Sequence, residues 1–352
     1  MTEWRPTYLR ELMTIKNGKD HKALHDGDYP VYGSGGIMRY VDKYLYDKES
    51  VLLPRKGTLN NIQYANTPFW TVDTCYYTEV NTEKVLPYFL YNCLRQYDIE
   101  ALNTGSAIPS MTFEKYYSIQ INLPNLETQR RIADVLSRYD ALIENYQRQI
   151  KLLEEAAQRL YKEWFVDLRF PGHQSTPIIN GIPKGWQKKK LTDILDIKYG
   201  KDHKKLKDGP IPVYGTGGIM RYANSSLYCG ESVLIPRKGS LNNIMIVNGS
   251  FWTIDTMFYS VPKIENAAKI AYFYLKDLDM YSFNIGAAVP SMTVNILSGM
   301  EISLPTDEIR HEFECTVDKY YQQIALLENQ IRNLSEARDR LLPKLMSGEI
   351  EV

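Results

Sequence analysis

IKNGKDHKALHDGDYPVYGSGGIMRY, residues 15–40, returns at residues 197–222 as IKYGKDHKKLKDGPIPVYGTGGIMRY, with 20 of 26 positions identical. ESVLLPRKGTLNNI from Glu49 returns as ESVLIPRKGSLNNI from Glu231, and FWTVDT from Phe69 as FWTIDT from Phe251, all at one offset of 182 that also carries Trp4 onto Trp186. GSAIPSMT at 105–112 meets GAAVPSMT at 286–293 at an offset of 181, so one residue was lost in an intervening loop. Repetition at this scale makes the chain a tandem of two like domains, and it has to be recognised before any element is assigned.

The end of each repeat changes character. Leu136, Tyr139, Ile143, Tyr146, Ile150, Leu153, Ala157, Leu160 and Trp164 follow alternating steps of three and four. Shifted by 181 they become Val317, Tyr320, Ile324, Leu327, Ile331, Leu334, Arg338, Leu341 and Leu345, in which only Arg338 breaks the apolar run. Four heptads with charged flanks predict coiled-coil helices that pair with each other. Pro343 is expected to kink the second helix or end it early, because proline lacks the amide donor and crowds the preceding turn.

The expected plan is a first domain over 1–125, a central helix over 126–165 and a linker over 166–185. A second domain over 186–305 follows, with a C-terminal helix and tail over 306–352. PGHQSTP and NGIPKG mark the linker as turns and loop. Short β-branched and aromatic runs between Gly- and Asn-rich turns read as a compact α+β or mostly β unit, and with the helices the fold class expected is α+β, two similar mixed α/β domains. Pairing the helices within the chain predicts an antiparallel coiled coil and a pseudo-two-fold arrangement.

Composition narrows the function. The 352 residues carry 42 basic and 42 acidic side chains. No apolar stretch reaches the ~20 residues of a membrane helix, and the N-terminus lacks the apolar core of a signal peptide, so a cytoplasmic protein with no membrane contact is expected. Cys75, Cys93, Cys229 and Cys315 are scattered and read as buried thiols of a reducing compartment. A nucleotide-binding G-x-x-x-x-G-K-[ST], a G-x-G-x-x-G turn and an Asn-Pro-Pro-aromatic string are all missing from the sequence. His21 and His25 have metal-site spacing, but the repeat has His203 and Lys207, a poor pattern for a metal. Neither a catalytic centre nor a cofactor is expected.

The repeated loops are the candidates for contact. Arg55, Lys56, Thr58, Asn60 and Asn61 return as Arg237, Lys238, Ser240, Asn242 and Asn243. Arginine suits guanine, asparagine suits adenine, and lysine or a hydroxyl suits phosphate, although a polar turn capping a strand needs the same residues. Tyr32, Gly33, Ser34, Gly35, Gly36 and Arg39 return as Tyr214, Gly215, Thr216, Gly217, Gly218 and Arg221; they form either a plain turn or a backbone edge that approaches DNA. Ser110 and Thr112, with Ser291 and Thr293, either reach phosphate or cap a helix. Lys201 leads a cluster with lysines 198, 204, 205 and 207 that suits phosphate or plain solvent. Trp70 and Trp252 sit in apolar runs and are expected in the core.

Gln129-Arg130-Arg131-Ile132 after a Leu-Pro, the junction Trp164-Phe165-Val166-Asp167, IPKGW at 182–186 and the ending RDRLLPKLMSGEIEV together resemble the specificity subunit of type I restriction–modification systems. The likeness covers essentially the whole chain. It implies two target recognition domains separated by two long helices, and double-stranded DNA with a bipartite target. As partners it implies modification (methyltransferase) subunits, two of them, and restriction (endonuclease and translocase) subunits. Because the candidate loops are nearly the same in both domains, the two half-sites are expected to be inverted copies, close to a palindrome. Asp28-Tyr29 against Pro210-Ile211, and 41–44 against 223–226, could separate the halves by a base or two. The rival is a scaffold whose twin domains bind peptide or carbohydrate, separable by the steep salt dependence of DNA binding.

Overall fold

A computed structural model describes residues 4–352 apart from 104, 106, 107, 287 and 288, so part of each GSAIPSMT and GAAVPSMT repeat lies outside the described residues. The chain divides into two compact units, one of residues 1–147 with 328–352 and the other of residues 148–327.

Each unit has a four-stranded antiparallel sheet. In the first its order is Met13–Lys16, Cys75–Val80, Ser50–Pro54 and Gln63–Ala65; in the second it is Leu195–Tyr199, Met257–Pro262, Ser232–Pro236 and Met245–Val247. The central strands SVLLP and SVLIP are buried at every position, which suits a β-branched run covered on both faces. Helices Pro87–Leu94 and Ala268–Asp277 supply the large apolar cores with Phe89, Leu90, Ile270 and Phe273.

A second, smaller sheet carries the glycine-rich hairpin. Strands Tyr29–Gly33 and Gly36–Val41 turn through Ser34-Gly35, and Ile211–Gly215 and Gly218–Ala223 turn through Thr216-Gly217. Gly36 at φ +124° and Gly218 at +112° take a backbone conformation that side chains with a Cβ rarely adopt, so the turn requires glycine there. The opposite edge of each hairpin pairs in parallel with the FWT segment, Val31 opposite Trp70 and Val213 opposite Trp252.

A ladder of Arg5–Tyr8 with Gln120–Leu123, matched by Gln187–Lys190 with Glu301–Leu304, leads the chain into each long helix. The helices run Leu126–Tyr161 and Asp307–Ser347. Asn125 caps the first by accepting from the Thr128 amide at 2.9 Å. One turn on, the fully buried Gln129 accepts from the Leu86 amide and donates to the Lys84 and Pro124 carbonyls. Arg310, its repeat equivalent, donates to the carbonyls of Glu265 and Pro305. Two different side chains thus tie the helix start to the domain before it.

Every heptad position named above is buried or half-buried, as a seam requires. Within the first unit Leu136 packs in one core with Leu342, Leu345 and Met346, and within the second Ala157 and Tyr161 pack with Phe313 and Val317. In both units the early part of one helix therefore meets the late part of the other, the antiparallel sense. Arg338 fits the seam by ion-pairing with Asp140 at 2.6 Å.

Three expectations need correction. Pro343 does not end the second helix, which continues to Ser347, because the flanking Leu342, Leu345 and Met346 are held in the core of the first unit. The linker is more ordered than a loop: the first long helix gives way to a π-helical turn over Lys162–Val166, a two-stranded ladder joins Ile178–Ile179 to Ile182–Pro183, and Phe170 packs on Trp186. Cys75 and Cys93 are buried, and burial pushes the Cys75 thiol up to about 12, but Cys229 and Cys315 are exposed.

Candidate nucleic-acid interface

Three segments of each unit come together around the hairpin. The amide of Gly57 donates to the Pro109 carbonyl at 3.0 Å and that of Gly239 to Pro290 at 2.9 Å, while Lys56 bridges Ser110 and Lys238 bridges Ser291. Asn61 Nδ2 donates to the Ser34 carbonyl at 2.8 Å, and Asn243 Nδ2 to that of Thr216 at 2.7 Å. The hairpin turn, the R-K-G loop and the loop before Ser110 are thereby fixed against one another, twice over.

Several candidates spend their polar groups inside the domain. Asn60 donates to Asp98 and accepts from the Glu100 amide, and Asn242 does the same with Asp279 and Met280. Arg39 holds Asp26 at 2.7 Å and the Leu24 carbonyl, and Arg221 holds Asp208 at 2.7 Å and the Leu206 carbonyl, so both brace the loop preceding the hairpin. Thr112 and Thr293 cap the short helices Phe113–Tyr117 and Val294–Ser298. Tyr32 and Tyr214 lie edge-on to Phe69 and Phe251, and burial pushes the Tyr32 phenol up. Gln63 binds the carbonyl of the buried Gly33. Trp70 and Trp252 are half-buried rather than in the core as expected, because each indole N–H reaches out to the carbonyl of Lys19 or Lys201, anchoring the GKDHK loops. His25 sits in the same loop with its amide on Asp42, and His21, like His203, keeps a buried ring nitrogen without a partner among the described residues.

What is left outward-facing is a smaller set. Lys56, Thr58, Lys201, Lys238 and Ser240 are exposed, and the Cβ positions of Gly35, Gly36, Gly217 and Gly218 face open space. Arg55 donates to the Asp73 carbonyl at 3.3 Å and lies over the Tyr76 ring; Arg237 donates to Asp255 at 3.1 Å and lies over Tyr199. One backbone bond and one aromatic face pre-orient each guanidinium, and among the described residues its other N–H groups take no partner. The platforms differ because the repeat exchanges two positions: Tyr76 corresponds to Phe258, and Tyr199 to Asn17.

Sequence reasoning missed the apolar component. Ile37, Met38 and Tyr40 are 49%, 59% and 50% exposed, and Ile219, Met220 and Tyr222 are 50%, 56% and 50% exposed. A Cβ on Gly33 would meet Met38 Sδ at 2.8 Å, so the buried glycine makes room for the thioether to lie across the hairpin. The available signal was the GIMRY pentapeptide, identical in both copies, with large apolar residues beside a turn.

Residues 1–155 and 183–336 match the type I restriction modification DNA specificity domain. The chain belongs to that family. It is a specificity subunit, a DNA-recognition component and not a catalyst. It is 25% identical to the MjaIX type I restriction enzyme specificity subunit of Methanocaldococcus jannaschii over 94% of this chain and 86% of that one. It is 33% identical to the MjaVIII subunit of the same organism over 75% and 70%, and 22% identical to the HindI subunit of Haemophilus influenzae over 77% and 79%. The crystal structure of the type I system S subunit from M. genitalium shares the fold, with a TM-score of 0.60 over 98% of this chain and 96% of that one at 19% identity. Among the described residues no helix is long and apolar enough to cross a membrane.

Proposed function

We propose that each unit reads one half of an interrupted, nearly palindromic DNA target, and that the chain recruits methyltransferase and endonuclease subunits to it. The observation that carries this reading is the duplicated set of loops, locked by the same bonds in both units and leaving Arg55 and Arg237 pre-oriented beside exposed Lys56 and Lys238. Arginine aimed by a stacked ring suits a bidentate guanine contact, lysine suits phosphate, and the exposed Met38 and Met220 suit a thymine methyl group. The exchanged platforms under the two arginines, Tyr76 and Tyr199, are where the two half-sites would come to differ.

Substituting Arg55→Ala and Arg237→Ala separately tests it. Each should relax sequence preference in one half-site only, with a loss of about 1–3 kcal/mol at one base pair, measured by selection of bound sequences. Uniform weakening across all sequences would make both arginines backbone contacts and sink the reading. A second test uses the helices as a ruler. Adding one heptad to each lengthens it by about 10 Å, some three base pairs. Half-site spacing should change and half-site sequence should not, as read by mapping methylation in cells carrying the altered subunit with its partners.

A further inference from the structure

Between the strand Gln63–Ala65, the helix Pro87–Leu94 and the first long helix, the first unit holds a cavity of about 520 Å³, lined by Tyr64, Tyr88, Tyr91, Asp134, Asp140 and Glu144 among others. The three rings pack on one another with centroids 5.4, 5.6 and 6.1 Å apart. Tyr88 donates to Asp140; burial, together with Asp140 beside Tyr88 and Glu49 beside Tyr64, pushes both phenols up. A wall of tyrosine faces backed by carboxylates attracts cations and repels anions.

The internal repeat shows which kind of cation such a place holds. At the offset of 181, Tyr88 corresponds to Lys269, Ala133 to Glu314 and Ser137 to Asp318. Lys269 is 7% exposed, and its ammonium is bound by Glu231 at 2.5 Å, by Asp318 at 2.8 Å and by Glu314. Glu231 is the repeat equivalent of Glu49, so one of the three carboxylates that receive the ammonium in the second unit is present in the first, where Ala133 and Ser137 stand in place of the other two. In the second unit the chain supplies that cation from its own helix. In the first, Arg338 reaches Asp140 from the second long helix and Arg95 covers the Tyr91 ring at 5.3 Å, but neither lines the cavity. Among the described residues nothing pairs with the Asp134 carboxylate, which faces the cavity from the exposed side of the helix.

We propose that this cavity of the first unit receives a lysine or arginine side chain of a partner protein, in the place that Lys269 fills for the second unit. The asymmetry gives the two otherwise similar units different docking surfaces beside the helix. The inference stands apart from DNA recognition, since no lining residue belongs to the candidate loops.

The test uses N-acetyl-lysine methylamide and its arginine counterpart as probes, with the norleucine compound, which keeps the four-carbon stem and lacks the ammonium, as the uncharged control. They are titrated against the full chain carrying 3-fluorotyrosine and read by fluorine NMR. The resonances of Tyr64, Tyr88 and Tyr91 should shift saturably, with the cationic probes at least about tenfold tighter than norleucine. Asp134→Asn, on an exposed helix position, should weaken the cationic probes about threefold and leave norleucine unchanged. The triple change Tyr88→Lys, Ala133→Glu and Ser137→Asp should close the site from within and abolish the shifts. Equal binding of norleucine, no saturable shift of these three rings, or insensitivity to Asp134→Asn would each overturn the proposal.

Discussion

Asn61 holds the Ser34 carbonyl at 2.8 Å and Asn243 holds that of Thr216 at 2.7 Å, and Arg39 and Arg221 hold their aspartates at the same 2.7 Å. Beside the long helices the same two units diverge: Tyr88 hydrogen-bonds Asp140, whereas Lys269 sits among three carboxylates. The loop face and the helix seat have thus changed at different rates since the duplication. Loops locked by bonds between three segments tolerate little change without losing all of them together. A seat built from side chains on two helices and a strand edge can be rebuilt pair by pair, provided each buried charge keeps a partner.

The sharpest way to break this contrast is to remove the charge on one side of it. Lys269→Met leaves Glu231, Glu314 and Asp318 facing each other, and at neutral pH it should cost about 3–5 kcal/mol by denaturant unfolding. The pH dependence has a definite sign. Burial raises the Glu314 carboxyl, against the pull of Lys269, and a group whose folded value is raised favours the fold at low pH and loses that contribution as pH rises through the folded value. Without the ammonium the carboxyl rises further, so the penalty should shrink as the solution is acidified from neutrality towards the ordinary carboxylate range. A penalty that grows on acidification would mean the carboxylates are not the source of the cost.

Tyr88→Phe asks the same question of the first unit. It removes one hydrogen bond while Arg338 still neutralises Asp140, so a loss of only about 1 kcal/mol is expected from the same unfolding curves. A cost equal to that of Lys269→Met would erase the difference between the two seats. The smallest effect belongs to the loop face. Gly33→Ala places a methyl group against the flexible end of Met38, which should cost less than about 1 kcal/mol of stability yet move the Met38 methyl resonance. An unmoved resonance would show that the thioether is not held over the hairpin.

How much of this could be read from the sequence follows the range of the interactions involved. The duplication and the heptad seam are local or periodic, and Leu136, Val317 and Leu345 lie buried where the spacing puts them. Repetition marks out the candidate loops in the same way. The duties within them were not legible: Asn60 meets Asp98 and Glu100, and Asn61 meets Ser34, across separations of 27 to 40 positions that no local pattern encodes. Nothing local marks Lys269, since its partners Glu231 and Glu314 lie 38 and 45 residues away. Pro343 misled because the rule for proline concerns an isolated helix, and here packing on both sides of it holds the last turns together.

The discontinuous make-up of the first unit has a consequence for how the protein is made. Its core includes Leu342, Leu345 and Met346 alongside Leu9, Leu53 and Phe89, whereas the second unit is one unbroken stretch, residues 148–327. Synthesis runs from the N-terminus, and domains ordinarily complete in that order. Here the order is reversed. The ribosome delivers every residue of the second unit before the first can close, and the earlier half waits, with part of its apolar interior uncovered, until residues 342–346 emerge. For the length of that interval the nascent first unit is the part of the molecule most in need of a chaperone.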